Sequence, residues 1–236
     1  MLPVGIIGAM DSEVALLLQK LQDPRTVTVG SVTYHTGTLG TTAVVIARCG
    51  IGKVCAAMCA QAMIDRFAVR CILNTGVAGG IAPGLSVGDM VLSTYAVQHD
   101  FDVTAFGHVR GYMCDGGDHT QPTRYYADGA LRQRFLDAAA ETLPGHKAIE
   151  GAIATGDVFV ADNALKKQLA EAFSAAAAEM EGGAIAQVAA ANRVPFLIVR
   201  AISDLAEGGA PVSFDTFEKE AAANSARMLL RVLQEL

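Results

Sequence analysis

Short apolar runs alternate along this chain with longer stretches of helical period, and this alternation constrains the fold more than any other feature. Residues 4–9 and 195–199 are apolar runs of strand length, a pattern typical of strands buried on both faces. From Gly52 onward the apolar residues recur at helical spacing. The alternation predicts an α/β fold with a mostly parallel, twisted mixed sheet flanked by helices.

The other predicted elements continue this alternation. Further strands are predicted over residues 31–40, 42–49, 71–74, 90–97, 148–155 and 175–178. Helices are predicted after Asp11-Ser12-Glu13 and Gly52, and over residues 131–143, 161–173 and 185–191. A glycine-rich turn, residues 76–80, is expected to follow the strand at 71–74.

The last helix and one long loop complete the predicted organisation. Ser213 is the expected N-cap of the closing helix, with Asp215 in its first turn and an apolar face from Phe217 to Leu236. Residues 108–124 have no periodicity and are expected to form a long functional loop. No linker-like or repeated segment interrupts the pattern, so residues 1–236 are expected to form one domain.

The composition narrows the class of partner. The net charge is −6 and no stretch is rich in Lys or Arg, which argues against nucleic-acid binding. No apolar run has the roughly 18 residues that a membrane span needs. The first apolar run resembles a buried strand more than a signal peptide, so a cytoplasmic protein is expected. Only 18% of residues are charged and 52% are hydrophobic, which predicts apolar burial between subunits, in a homodimer.

Five cysteines are present, namely Cys49, Cys55, Cys59, Cys71 and Cys114. Cys55 and Cys59 are four residues apart on a predicted helix and could share a metal ion, but no His or carboxylate lies at ligand spacing beside them. The interpretation we favour is free, buried thiols in a reducing compartment. No metal site is predicted.

Polar residues accumulate where the predicted strands end. Ligands of such sheets bind beyond the carboxyl ends of the strands. Three strand ends deliver candidate site residues: Met10 and Glu13; Glu179, Met180 and Glu181; Arg200, Ser203 and Asp204. This convergence predicts a site rich in carboxylates.

Each of these features also has a simpler interpretation. Glu13 and Glu181 could be ordinary first-turn acids, Asp204 a capping residue and Arg200 their ion-pair partner. The glycine-rich turn is a weak phosphate signal because it lacks a P-loop lysine. His99-Asp100 beside Asp102 could form a catalytic dyad, but no nucleophile in a strained turn accompanies it.

Eight segments in order resemble one known family. They read GIIGAMDSEV, GIGKV, NTGVAGG, QHDFDVTAFG, TGDVFV, AEMEGGAIA, VPFLIVRAISD and SFDTF. Together they resemble the 5′-methylthioadenosine/S-adenosylhomocysteine nucleosidases, which have the nucleoside phosphorylase-like α/β fold. The resemblance runs from the first strand to the last helix and is weak only between His108 and Tyr126. It implies a cofactor-free hydrolase that cuts the N-glycosidic bond of adenine nucleosides and releases adenine.

The resemblance also implies roles for individual residues. Asp204 corresponds to the acid that protonates adenine nitrogen-7, and Ser203 orients it. Glu13 corresponds to the carboxylate that activates water. Glu181 corresponds to the ligand of the ribose 2′-hydroxyl, and Met180 packs at the sugar.

Other implied contacts surround the base and the 5′ substituent. Phe159 corresponds to the aromatic residue that stacks on adenine, and the backbone of Val160 to the reader of the base edge. Glu179 and Arg200 are expected near the ribose. Val77 stands where many relatives carry Ser. The sugar and thioalkyl pockets are expected to be lined by Met10, Ile51 and Phe214, and by Val103 and Phe106 from the neighbouring subunit.

The chemistry of the bond agrees with these roles. Cleavage of a purine N-glycosidic bond builds positive charge on the ribose and negative charge on the departing base. An Asp whose pKa is raised by burial can donate a proton to the base. An ionised carboxylate on the sugar side favours the cationic ribose and can deprotonate water.

Two other functions remain open from the sequence. A nucleoside phosphorylase would split the same bond with phosphate, but such a site needs cations, usually arginines, where Glu13 stands. A non-catalytic nucleoside-binding protein would keep the pocket without turnover. The sequence does not rank methylthioadenosine, S-adenosylhomocysteine, 5′-deoxyadenosine and 6-amino-6-deoxyfutalosine as substrates.

Overall fold

A computed structural model describes residues 2–207 and 210–236. Its ten strands form one sheet. They are β1 (Val4–Gly8), β2 (Gln22–Val29), β3 (Val32–Leu39), β4 (Thr42–Arg48), β5 (Cys71–Gly80), β6 (Met90–Gln98), β7 (Tyr125–Tyr126), β8 (Ala148–Thr155), β9 (Ala175–Glu179) and β10 (Phe196–Asp204). The helices are α1 (Asp11–Lys20), α2 (Lys53–Phe67), α3 (Gly129–Thr142), α4 (Asn163–Phe173), α5 (Gly182–Ala191) and α6 (Ala210–Leu233).

The sheet is mixed, and part of it closes on itself. Its order is β10-β6-β8-β9-β5-β1-β4-β3-β2, with β7 beside β6 and an additional pairing of β10 with β5. Strands β5, β10, β6, β8 and β9 therefore form a ring, from which β1 to β4 extend as a twisted wing. The pairings of β1 with β4 and β5, of β5 with β10, and of β8 with β6 and β9 are parallel. The predicted mixed α/β class is confirmed.

Helices cover both faces of the sheet because each carries one apolar stripe. On one face, α1, α3 and α6 bury residues such as Leu17, Phe135 and Leu229. On the other face, α2 and α5 bury residues such as Met63 and Ile185. None of the helices described over 2–207 and 210–236 is long and apolar enough to cross a bilayer.

Strands β5 and β10 are longer than predicted, and both corrections concern the site. The glycine-rich segment 76–80 is not a turn but the second half of β5. Likewise β10 continues past Val199 to Asp204. The two strands stay paired here, with Arg200 opposite Gly76 and Asp204 opposite Gly79. Glycines and polar residues looked like strand ends, but the backbone pairing of β5 with β10 continues through them.

Two further elements, β2 and the start of α6, differ from the sequence prediction. Strand β2 was not predicted, because it is an almost wholly exposed strand that contains Pro24 and therefore has no core-facing pattern.

Ser213 is not an N-cap: α6 begins earlier, at Ala210, and the Ser213 hydroxyl donates to the Ser203 carbonyl at 3.1 Å. Asp215 is therefore not in the first turn, Phe217 is partly exposed, and Leu236 lies beyond the helix. Residues 107–124 form the expected loop.

Candidate active site

A cavity of about 410 Å³ opens at the carboxyl ends of β1, β5, β9 and β10. This volume falls within the usual range for small-molecule sites. Its lining includes eleven of the residues predicted from the sequence: Met10, Glu13, Ile51, Val77, Phe159, Glu179, Met180, Glu181, Ser203, Asp204 and Phe214. The structure thus brings together residues that lie as far apart as positions 10 and 214.

Glu13 is held at the start of α1 by backbone donors. Its Oε2 accepts from the N–H groups of Ala9 and Met10 at 2.6 and 3.0 Å, and its Oε1 accepts from Val77 N–H at 3.0 Å. Burial raises the pKa of Glu13, although Arg200 and these N–H groups act in the opposite direction. The carboxylate is therefore fixed in position and more basic than an exposed glutamate.

Arg200 lies beneath the cavity and does not line it. It is buried, and its Nη2 donates to Asn74 Oδ1 at 2.7 Å and to Glu179 Oε2. Glu181 Oε2 lies 3.7 Å from the same nitrogen. Burial disfavours the charged guanidinium, but Glu179, Glu13 and Glu181 outweigh it and raise the pKa of Arg200. This partly confirms the simpler interpretation of Arg200 as an ion-pair partner, and Glu179 is its main carboxylate.

Two donors of Arg200 remain free of partners. Among the described residues, neither Nε nor Nη1 of Arg200 has a hydrogen-bond partner, although both are buried. Nη1 lies toward Gly76, where a built Cβ would meet both Nη1 and Glu13 Oε1. An unpaired buried donor is costly, so this arrangement suits a site that receives a polar ligand.

Glu179 and Glu181 have different surroundings. Glu179 ends β9 and is fully engaged: its Oε1 accepts from Thr155, and its Oε2 accepts from Gly182 N–H at 2.7 Å as well as from Arg200. Among the described residues, the Glu181 carboxylate has one hydrogen-bond donor: its Oε1 accepts from Gly52 N–H at 2.8 Å. Burial and the neighbouring Glu179 raise the pKa of Glu181 to about 7. Of the two, Glu181 is the carboxylate with unused acceptor capacity in the cavity.

Asp204 ends β10 and lines the same cavity. Its Oδ1 accepts from Ala206 N–H at 2.8 Å, and its Oδ2 accepts from the Ser203 hydroxyl at 3.0 Å. Burial raises the pKa of Asp204, opposed by these two hydrogen bonds. Gly79 leaves room for the side chain, since a Cβ there would lie 2.9 Å from Asp204 Oδ1. Asp204 is thus oriented and biased toward its protonated form.

Two aromatic rings, those of Phe159 and Phe214, line the cavity. Phe159 and Phe214 meet edge to face, with centroids 5.6 Å apart, and Phe159 is 44% exposed. Val160 does not line this cavity; with Phe159 and Asp204 it lines a smaller adjoining one. A flat base has an aromatic face available here.

Val103 and Phe106 lie outside the cavity of their own chain. They belong to the loop after β6, which contains a short 3₁₀ helix, Thr104–Phe106. Phe106 is 80% exposed. Its ring is therefore accessible to another molecule.

Several residues that line the cavity were not predicted from the sequence to belong to the site. They are Ala9, Ala78, Gly79, Ala178, Pro211 and Asp215. Ala and Gly carry no functional group that could have marked them. Thr155 and Asn74, which hold Glu179 and Arg200, were hidden within strands of apolar pattern. The signal that could have found them is a buried polar residue inside such a strand.

The expectation of buried thiols holds for three of the five cysteines and is wrong for two. Cys49, Cys59 and Cys71 are buried, Cys55 and Cys114 are exposed, and all five are free thiols. Burial raises the pKa values of Cys59 and Cys71 to about 11. Among residues 2–207 and 210–236, no three His, Cys, Asp or Glu side chains are grouped so as to hold a metal ion.

Comparison with known proteins agrees with this geometry. A family model described as the phosphorylase superfamily matches residues 3–234, and the chain belongs to that superfamily. A 5′-methylthioadenosine/S-adenosylhomocysteine nucleosidase of Shewanella frigidimarina is 42% identical over 234 residues, 99% of either chain. Within the superfamily, the chain is therefore a member of the 5′-methylthioadenosine/S-adenosylhomocysteine nucleosidases, and the resemblance noted from the sequence is confirmed.

Solved structures resemble it over their whole length. The nucleosidase of Neisseria meningitidis in complex with methylthio-immucillin-A is 39% identical, with a TM-score of 0.91 and full coverage of both chains. The futalosine hydrolase of Helicobacter pylori is 33% identical, with a TM-score of 0.92 and coverage of 100% of this chain and 98% of the other. The same fold thus carries nucleosidases with more than one named substrate.

Proposed function

We propose that this chain hydrolyses the N-glycosidic bond of 5′-methylthioadenosine and S-adenosylhomocysteine, and releases adenine and the 5′-substituted ribose. The observation that carries the proposal is the position of three carboxylates in one cavity. Glu13 lies beside Gly76 and Val77 of β5, whereas Asp204 lies beside Gly79, further along the same strand. Asp204 also lines a smaller adjoining cavity together with Phe159. A nucleoside bound between Glu13 and Asp204 would present its base to the acid and its sugar to the carboxylates.

Asp204 is the proposed general acid. Burial raises its pKa and so favours the protonated form that would donate to adenine nitrogen-7, and the hydrogen bond with Ser203 orients the carboxyl group. Phe159 stacks on the base, and the Val160 backbone contacts the base edge. Protonation turns adenine into a neutral leaving group as the bond breaks.

Glu13 is the proposed general base, and Glu181 binds the ribose 2′-hydroxyl. Burial makes Glu13 more basic than usual, so it can take a proton from the attacking water. Met180 packs at the sugar, and Glu179 acts through Arg200. The negative field of the acids favours the cationic ribose as the bond breaks.

The lining favours water over phosphate as the nucleophile. The cavity is lined by Glu13, Glu179, Glu181, Asp204 and Asp215, and no Lys, Arg or His appears among the described lining residues. A phosphate dianion would meet like charge without a cation to clamp it. A reaction in ¹⁸O-labelled water tests this directly: hydrolysis places one label in the ribose product. A ribose phosphate product, formed only when phosphate is added, would contradict the proposal.

We further propose a homodimer in which the partner subunit completes the 5′ pocket. Met10, Ile51 and Phe214, which the resemblance assigns to the 5′ substituent, line the cavity within one chain. Large apolar residues are also exposed near the start of α2 and in the loop after β6: Ile51, Val54, Met58 and Phe106. Val103 and Phe106 would enter the pocket of the other protomer. A cytoplasmic location and a single domain over residues 1–236 are part of the same proposal.

Subunit complementation tests the shared pocket. Phe106→Asp impairs the neighbour's 5′ pocket, whereas Asp204→Asn inactivates a chain's own site. When the two variants are mixed and allowed to exchange subunits, each mixed dimer contains one site with neither change. Recovery of activity on mixing supports the dimer. A monomeric mass by light scattering at micromolar concentration, or no recovery after exchange, would contradict it.

A further inference from the structure

Three residues from separate segments form a closed ring of hydrogen bonds outside the cavity. Lys53, the first residue of α2, donates from its backbone N–H to Asp157 Oδ1 at 2.9 Å and from Nζ to Asp100 Oδ1 at 2.6 Å. The Asp157 N–H donates to Asp100 Oδ2 at 2.9 Å. We call Lys53, Asp100 and Asp157 the Lys53 clasp.

The clasp is an ion pair largely shielded from solvent. The side chains of Lys53 and Asp100 are 18% and 23% exposed. Burial opposes ionisation of Asp100, but the hydrogen bonds from Lys53 and Asp157 outweigh it and lower the pKa of Asp100. Shielded, charge-assisted hydrogen bonds are stronger than those of exposed pairs. Both oxygens of Asp100 are therefore committed to joining two segments of chain.

Those two segments carry contacts of the proposed site. On the α2 side, Gly52 N–H donates to Glu181 Oε1 at 2.8 Å, and Ile51 lines the cavity. On the other side, Phe159 lies two residues after Asp157. Gly52 has a φ of +98°, and a Cβ there would lie 3.1 Å from Asp157 Oδ1. The close approach of the two segments thus depends on both the clasp and this glycine.

We propose that Lys53, Asp100 and Asp157 are positioning residues that hold Glu181 and Phe159 at the separation needed to bind a nucleoside. This inference rests on the proposed function. The clasp touches no substrate and acts through the Gly52 N–H and the 157–159 segment. Its loss would let the ribose ligand and the base-stacking ring drift apart.

The clasp also accounts for the sequence His99-Asp100 and the nearby Asp102, just after the end of β6. His99 is buried beside Gly156 and Asp100, and burial lowers the pKa of His99, so it is neutral. Asp102 instead pairs with Arg110 at 2.9 Å on the surface. His99, Asp100 and Asp102 therefore do not form a catalytic dyad. Asp100 instead holds two segments of the chain together.

Substitution of Lys53 separates positioning from folding. Lys53→Met keeps the length of the side chain but removes its cation, and we expect KM for methylthioadenosine and Kd for adenine to rise about tenfold, with a smaller change in kcat. Lys53→Arg keeps a cation and is expected to recover affinity. Lys167→Met, which removes an exposed pairing with Glu171, is the matched control and should leave both constants unchanged.

Adenine affinity, measured by calorimetry, keeps the two proposals distinguishable. If wild type binds adenine but does not release it from methylthioadenosine, the proposed hydrolysis fails, while the adenine Kd values still test the clasp. Asp100→Asn, which cannot accept both hydrogen bonds, is expected to act like Lys53→Met and replaces it if that variant does not fold. Unchanged KM and Kd in a folded clasp variant, or a loss confined to Tm, would overturn the inference. So would failure of wild type to bind adenine.

Discussion

Glu13 and Arg200 approach each other across Gly76. A Cβ built on Gly76 would lie 2.2 Å from Glu13 Oε1 and 2.6 Å from Arg200 Nη1, distances that real Cβ contacts do not show. Gly76 is paired with Arg200 along β5 and β10, so the backbone cannot move aside without disturbing both strands. The observed positions of the Glu13 and Arg200 side chains therefore require that residue 76 be glycine.

Gly76→Ala is expected to lower kcat/KM by about 100-fold or more, since small displacements of catalytic groups are that costly. The matched control is Gly151→Ala, whose Cβ would lie 2.3 Å from Ala176 Cβ, outside the cavity lining. The control should lower Tm while the folded fraction keeps its activity. Normal kcat/KM in folded Gly76→Ala would show that the Glu13–Arg200 geometry is not required.

Glu13→Gln is expected to reduce kcat by roughly 100- to 10,000-fold, the usual contribution of a general base. Because the base must be ionised and burial raises the pKa of Glu13 above 4.5, wild-type activity should fall as the pH drops through that raised value. The residual activity of Glu13→Gln should lack this acidic limb. The same limb in both enzymes would assign it to another group.

Glu181→Gln is expected to stabilise the protein at pH 8 while impairing it as an enzyme. Burial and Glu179 raise the pKa of Glu181 from 4.5 to about 7, so the folded state holds more protons than the unfolded state between these values. Stability therefore falls as the pH rises through that window and stays lower above it. Removal of the charge should recover on the order of 1–3 kcal/mol at pH 8, and almost none at pH 4.5.

Thermal unfolding at the two pH values measures this effect. A gain of about 2–4 °C in Tm per kcal/mol is expected for a chain of this size. Glu150→Gln removes an exposed carboxylate of β8 that pairs with Arg132 and serves as the matched control. Equal Tm changes at pH 8 and pH 4.5 in Glu181→Gln would contradict the account.

Phe159→Ala tests the proposed stacking of adenine. Stacking on an aromatic side chain contributes about 1–3 kcal/mol per base, so the Kd for adenine should rise by about 5- to 150-fold. The ring is 44% exposed, and its loss should therefore change Tm little. Phe217→Ala removes a similarly exposed ring outside this cavity and should leave adenine binding intact. Equal affinities in wild type and Phe159→Ala would exclude the stack.

The sequence predicted the elements better than it predicted their ends. Apolar runs mark β1 and the start of β10 because both faces are buried. The predicted strand ended at Val199 because Arg200, Ser203 and Asp204 are polar residues, which are uncommon in a core. They are buried all the same, because one cavity and one ion-pair network receive them. Local pattern does not reveal a partner that lies on another strand.

The candidate site could be predicted where side chains carry chemistry and not where they provide only space or support. Glu13, Glu181 and Asp204 could be identified from their type and their position after strands. Gly79 and Ala178 line the cavity without a functional group, and Thr155 supports Glu179 from within a strand. Their roles depend on which strands are neighbours, and this order follows from the tertiary fold.

Adenine release from methylthioadenosine in phosphate-free buffer, compared between wild type and Asp204→Asn, tests whether the chain is a hydrolase with Asp204 as its acid. Asn keeps the shape of the side chain and can still accept from Ala206 N–H, but it has no acidic proton to give. We expect release by wild type and a loss of roughly 100- to 10,000-fold in the variant. Comparable release by the two enzymes, or release by wild type only after phosphate is added, would contradict this expectation.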